Sequence, residues 1–259
     1  MFVRFRHHLS ALVIAAAVVA CGGDSSTSPT PYPPATLNQA LAELSIPALA
    51  AAGSSSFVDV GTAAPALDPA TCPYSATVQS FVCTPISESG ITVNQSFTLL
   101  SGSGATQSAF DAATTDAVRA NTTVGGTLVE QGTTLDVTGQ QELTLSGLVS
   151  GPHVLNGTSS LTAAGTVVDE TTTYPVNITV STSIANLVLP VNETGSSQVW
   201  PSSGTITVDV NGSIGPVSVS QARTVITFTG TSTVNVTVSG GGLSKSCKVD
   251  LTNAAPECA

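Results

Sequence analysis

Charge is scarce in this chain. Only 8% of its 259 residues are Asp, Glu, Lys or Arg. Beyond residue 20 the basic residues are Arg119, Arg223, Lys245 and Lys248, four against sixteen acids, a net charge of −12 for that part. Such a balance repels polyanions, which excludes nucleic acid and anionic lipid headgroups as partners. Aromatics are as rare, at 4% with the single Trp200. A transmembrane β-barrel needs aromatic girdles at both interfaces, and this composition cannot supply them. Histidine is nearly missing: after His7 and His8 there is only His153. A nucleophile–base pair has to be built from very little, and no Gly-x-Ser-x-Gly elbow is present. After Ala20 no segment is long and apolar enough to cross a bilayer as a helix.

The N-terminus holds what the rest lacks. Met1 to His8 carries Arg4 and Arg6 and no acid, and Leu9 to Ala20 is almost wholly apolar. Twelve helical residues rise about 18 Å, well short of a hydrocarbon core of about 30 Å. The run is therefore expected to be the core of a signal peptide over residues 1–20 rather than a stable span. Its end, Val18-Val19-Ala20-Cys21, resembles the lipobox of bacterial lipoproteins, with an aliphatic residue at −3, a small residue at −1 and Cys at +1. The family prefers Leu where Val18 stands. The resemblance implies cleavage before Cys21 and acyl chains (a palmitate-type anchor) on its thiol, so that the bilayer is a partner through Cys21. Several chains on one Cys hold a protein stably on a membrane. Gly22 replaces the Asp that resembles an inner-membrane retention signal, which favours the outer membrane of a two-membrane envelope.

Residues 21–35 form a spacer. Gly22 to Ala35 is Gly/Ser-rich, then Pro-rich, and holds nothing that can form a core apart from Tyr32. Flexible in its first half and extended in its second, it reaches on the order of 20–40 Å from the membrane. Residues 36–259 then make a single β-rich domain. Four cysteines remain in it: Cys72, Cys83, Cys247 and Cys258. An even count in an oxidising compartment predicts disulfides, and four cysteines allow three connectivities. The two local spacings are equal, both eleven, which favours Cys72–Cys83 and Cys247–Cys258. Such spacing does not suit zinc pairs.

Thr36 and Gln39 resemble a capping box, and Leu37, Ala40, Leu41 and Leu44 then share a helical face. A helix is predicted over residues 37–52. From Thr77 the period becomes two. Ile91, Val93, Phe97 and Leu99 alternate with polar residues; so do Leu135, Val137, Leu143 and Leu145; Val176, Ile178 and Val180; Ile206, Val208 and Val210; Val234, Val236 and Val238; and Cys247, Val249 and Leu251. This is the signature of antiparallel strands wet on one face, about ten of them. Gly125-Gly126, Gly151-Pro152, Asn211-Gly212 and Gly240-Gly241-Gly242 are predicted connections between them. Ala109, Phe110, Ala113, Ala117 and Val118 fall on a helical stripe, which predicts a second helix over residues 106–120. The expected fold is mainly β: a curved antiparallel meander with one or two helices covering its concave side, and a β-sandwich as the alternative. The layout looks like the half-barrels of periplasmic lipoprotein carriers in architecture only.

Candidate sites are few. His153 follows a turn signal, and a solvated turn histidine is the simpler reading. Asp169-Glu170 would point to opposite faces of a strand. Asp209-x-Asn211-x-Ser213 spaces its oxygens as a calcium loop does, but Gly is at 212 and residue 220 is Ser rather than Glu. Gly102-x-Gly104 lacks the third glycine of a dinucleotide fingerprint. Arg223 reads as a charge guarding a sheet edge. No catalytic residue, metal or cofactor is assigned. The expectation is a membrane-anchored envelope lipoprotein, a non-enzymatic structural or interaction module; the alternative is a carrier or sensor of an apolar ligand held in a half-barrel cavity.

Overall fold

The computed structural model describes residues 71–258 apart from 131, 150, 170, 171, 190–199, 216 and 252–254. The expected signal peptide and spacer, Cys21 and the helix predicted at 37–52 lie outside the described residues. The rest is built of strands: β1 Tyr74–Ser75, β2 Ser80–Val82, β3 Ile86–Glu88, β4 Ile91–Ser101, β5 Thr106–Gln107, β6 Thr115–Glu130, β7 Thr133–Ser146, β8 Val154–Asp169, β9 Thr172–Val188, β10 Ser203–Ile214, β11 Val217–Thr227, β12 Thr233–Gly240, β13 Leu243–Asp250 and β14 Ala255–Cys258. All pair antiparallel in one open, curved sheet. Its order is β1-β2-β4-β6-β7-β8-β9-β10-β11-β12-β13-β14, with β3 and β5 also on β4. Nine strands have eight residues or more, close to the number predicted, and five are short edge pieces. No second sheet accompanies it among the described residues, so the sandwich alternative falls away.

The alternation in the sequence becomes a division of faces. One cross-strand row runs Phe81, Phe97, Ala120, Leu143, Gly157, Ile184, Ile206, Ile226, Val236, Cys247, Cys258, from β2 to β14. Most of its residues, with Leu145, Leu155, Leu187, Val234 and Val249, form the main apolar cluster of the inner face. A second cluster at the other end of the long strands holds Ile91, Leu135, Val137, Ala163, Val176 and Ile178. A third, Phe81, Leu99 and Val118, seats the first hairpin, where Tyr74 meets Phe81 edge-on. Each buried Leu or Val contributes about 1.5–3 kcal/mol relative to exposure, and the curved sheet supplies enough of them to hold itself.

Between the first two clusters the inner face turns polar. Gln95, Thr122, Gln141, Ser159 and Thr182 stand in one cross-strand row. That row marks where the core divides in two.

The helix predicted at 106–120 is not formed, and no helix occurs among the described residues. Residues 106–107 are β5, 108–114 form a turn, and 115–120 begin β6. Buried Thr115 organises the turn: its hydroxyl donates to Gln107 Oε1 at 2.7 Å and accepts from the Asp111 amide at 2.9 Å. The carboxylate of Asp111 accepts from the Ala113 amide at 2.8 Å. Val118 and Ala120 then pair with β4 and β7, and that pairing outweighs local helical spacing.

Two predicted turns are also corrected. Gly151-Pro152 and Gly241-Gly242 do connect strands, but Gly125-Gly126 lies inside β6 and Asn211-Gly212 inside β10. Gly126 has φ +146°, and a side chain there would meet the Gly90 carbonyl. Gly212 has φ +148° against the Asn177 carbonyl, at a register shift in the β10–β11 ladder. These glycines allow close backbone approach and a bulge, not a reversal of the chain.

Candidate functional site

The outer face is polar over most of its width. One row reads Asn94, Thr123, Gln140, Ser160, Ser181, Asp209, Arg223, Ser239. The next reads Ser96, Asn121, Glu142, Thr158, Ser183, Thr207, Val225, Thr237. Side chains in one row stand about 4.5–5.5 Å from their cross-strand neighbours. Where the two rows cross β6 to β10 the face hollows into an open groove of about 450 Å³. It is lined by Ser, Thr, Asn and Gln residues of four strands, 121–123, 140–141, 158–160 and 181–183, together with Glu142 and Asp209; Thr122, Gln141, Ser159 and Thr182 among them belong to the polar row of the inner face.

Both acids are matched by arginines. Arg223 donates to both carboxylate oxygens of Asp209, through Nε at 2.8 Å and an η nitrogen at 3.1 Å. That hydrogen bond, and then the negative charge, raise the Arg223 pKa above its ordinary value. Arg119 Nε stands 3.7 Å from Glu142 Oε1. Apart from Thr123, which accepts from Asn94 at 3.4 Å, the groove's uncharged side chains make no side-chain hydrogen bond to another described residue. The groove is thus electrically balanced, with many free donors and acceptors.

The cysteines pair as predicted, Cys72 with Cys83 and Cys247 with Cys258. The first bond closes the β1–β2 hairpin at one edge of the sheet; the second holds β14 on β13 at the other. His153 lies half-buried in the β7–β8 connection, where its carbonyl accepts from the Leu189 amide at 2.8 Å, and its ring bonds to no described residue. Asp169 ends β8, and Glu170 lies outside the described residues. Asp209, Asn211 and Ser213 follow one another along a single face of β10, with Asp209 held by Arg223, so they make no loop around an ion. No trio of metal-ligating side chains gathers among the described residues. Gly102 and Gly104 belong to the turn after β4. Arg223 is not an edge charge, because β11 is flanked by β10 and β12 where Arg223 sits.

The groove itself was not legible in the sequence. Polar residues between apolar ones announced an outer face, but only the strand register brings Thr123, Gln140, Ser160, Ser181 and Asp209 into line. The sequence matches no protein-family model, no curated protein and no solved structure.

Proposed function

We propose that this chain is a lipid-anchored envelope protein, tethered through acyl chains on Cys21 and a spacer over residues 22–35, that works as a non-enzymatic interaction module. The observation that carries the reading is the division of the sheet. One face is occupied by its own apolar clusters, and the other is a field of mostly uncharged polar side chains whose two groove acids, Glu142 and Asp209, each have an arginine beside them. A surface of that kind is suited to contact rather than to bond-making. It offers hydrogen bonds along a groove, and no base is aimed at a nucleophile. A carrier of apolar ligands would need a hollow walled by aliphatic or aromatic side chains, whereas the concavity found on β6 to β10 is lined by Ser, Thr, Asn, Gln, Glu and Asp. Display of the outer face is therefore the better-supported role.

The anchor is tested by expressing the chain in a two-membrane bacterium with radiolabelled palmitate and separating the membranes by density. The expected outcome is label on the protein and recovery with the outer membrane, both lost in Cys21→Ser. Recovery of unlabelled protein in the soluble fraction from the unaltered sequence would overturn the reading.

A further inference from the structure

We infer that the outer-face groove over β6 to β10 is a binding site for a neutral saccharide chain. The inference rests on the reading that this face is the one displayed, and it names the chemistry of what is bound.

Charge comes first. Outside the N-terminal twenty residues the chain has two arginines, and each sits against an acid at this groove, Arg119 with Glu142 and Arg223 with Asp209. In a protein with so large an excess of acids, this one concavity is neutralised. Each carboxylate at the groove has an arginine beside it, so neither sign of charge is in excess there. Chemistry follows. Ser and Thr hydroxyls and Asn and Gln amides each donate and accept, as sugar hydroxyls do. Gln140, Thr158, Ser160, Ser181 and Ser183 have that capacity unspent on other described side chains. Spacing adds a third argument: neighbouring strands lie about 4.8 Å apart, the size of one sugar ring. A chain lying across the strands meets an equivalent set of donors at each step. A peptide is the poorer fit, since it would add to a strand edge through its backbone, and this site lies in the middle of a face. No aromatic ring lines the groove, so affinity comes from many modest hydrogen bonds, each about 0.5–1.5 kcal/mol net. A polymer rather than a monosaccharide is the ligand that such a surface holds.

The test is affinity electrophoresis of the purified full chain in native gels containing dextran, laminarin, galactomannan or soluble starch, with alginate and heparin as charged comparators. At least one neutral polymer should retard the protein, equally at low and high salt, because no charge is exchanged. Ser160→Phe, which fills the groove, and the triple change Gln140→Ala, Ser160→Ala, Ser181→Ala, which removes donors without adding bulk, should each weaken retardation by roughly tenfold or more. Asn235→Phe, exposed on the same face outside the groove, should leave it unchanged. Retardation by none of the neutral polymers, retardation by the charged polymers alone, or retardation that survives both groove variants would overturn the inference. Palmitate labelling reads the anchor separately, so failure of the tether and failure of the ligand are distinguished.

Discussion

Replacing the second disulfide, as Cys247→Ala/Cys258→Ala, should cost the domain much of its stability and should do so from one edge. The two cysteines are separated by eleven residues and lie directly opposite each other on β13 and β14. Opening a loop of that size returns about 3 kcal/mol of chain entropy to the unfolded state. Cys247 is only 4% exposed and belongs to the main apolar cluster, so removing its sulfur adds on the order of 1 kcal/mol of lost packing. For a domain of this size each kcal/mol shifts Tm by about 2–4 °C, so the total predicts a fall of about 8–16 °C. Far-UV circular dichroism during heating measures it. Hydrogen exchange read by mass spectrometry should show protection lost first in residues 243–250. The matched variant Cys72→Ala/Cys83→Ala opens a loop of the same length but removes half-buried sulfurs, so its fall should be smaller by the packing part alone. A fall of less than about 3 °C in the first variant, or exchange that begins in β6 to β9, would refute the loop-entropy argument.

Two further changes probe the core and the bulge. Leu155→Ala removes a side chain that is 0% exposed in the main cluster and should cost about 2–5 kcal/mol in urea unfolding, with the slope unchanged. Gly212→Ala places a Cβ against the Asn177 carbonyl at φ +148°, so it should destabilise by about 1–3 kcal/mol, while Asn211→Ala beside it, exposed on the outer face, should change Tm little.

Where burial alternates along a strand, sequence and structure agree. Val234, Val236 and Val238 face inward, as do Leu135, Val137, Leu143 and Leu145, because a side chain's face is fixed by parity alone. The pairing of the cysteines was legible from spacing for a related reason: short loops place partners on neighbouring strands. The segment from Ala109 to Ala120 misleads because its small side chains suit either period. What decides it is pairing with Phe97 and Leu143, residues far off in sequence. Gly126 and Gly212 mislead in the opposite sense, since a glycine that permits close backbone contact looks the same in sequence as one that permits a turn. Arg223 has the sequence setting of an edge charge, and only the register of β10 on β11 reveals Asp209 as its partner. The groove belongs to this last kind. It is a property of how five strands align, and no window of sequence contains it.

The Cys72–Cys83 bond has a mechanical meaning as well. Tension entering from the N-terminal side of Cys72 passes through sulfur to Cys83, so residues 73–82 hang in a covalent loop that carries no load. β1 and β2 cannot be peeled away first, and Tyr74 and Phe81 stay seated. The first contacts to bear force are the bond from the Cys83 amide to the Gln95 carbonyl and then the three-residue pairing of β3 with β4, and beyond them each antiparallel neighbour would have to open like the teeth of a zip, one rung at a time. A domain held this way yields gradually under a steady pull and keeps its outermost hairpin intact while it does so.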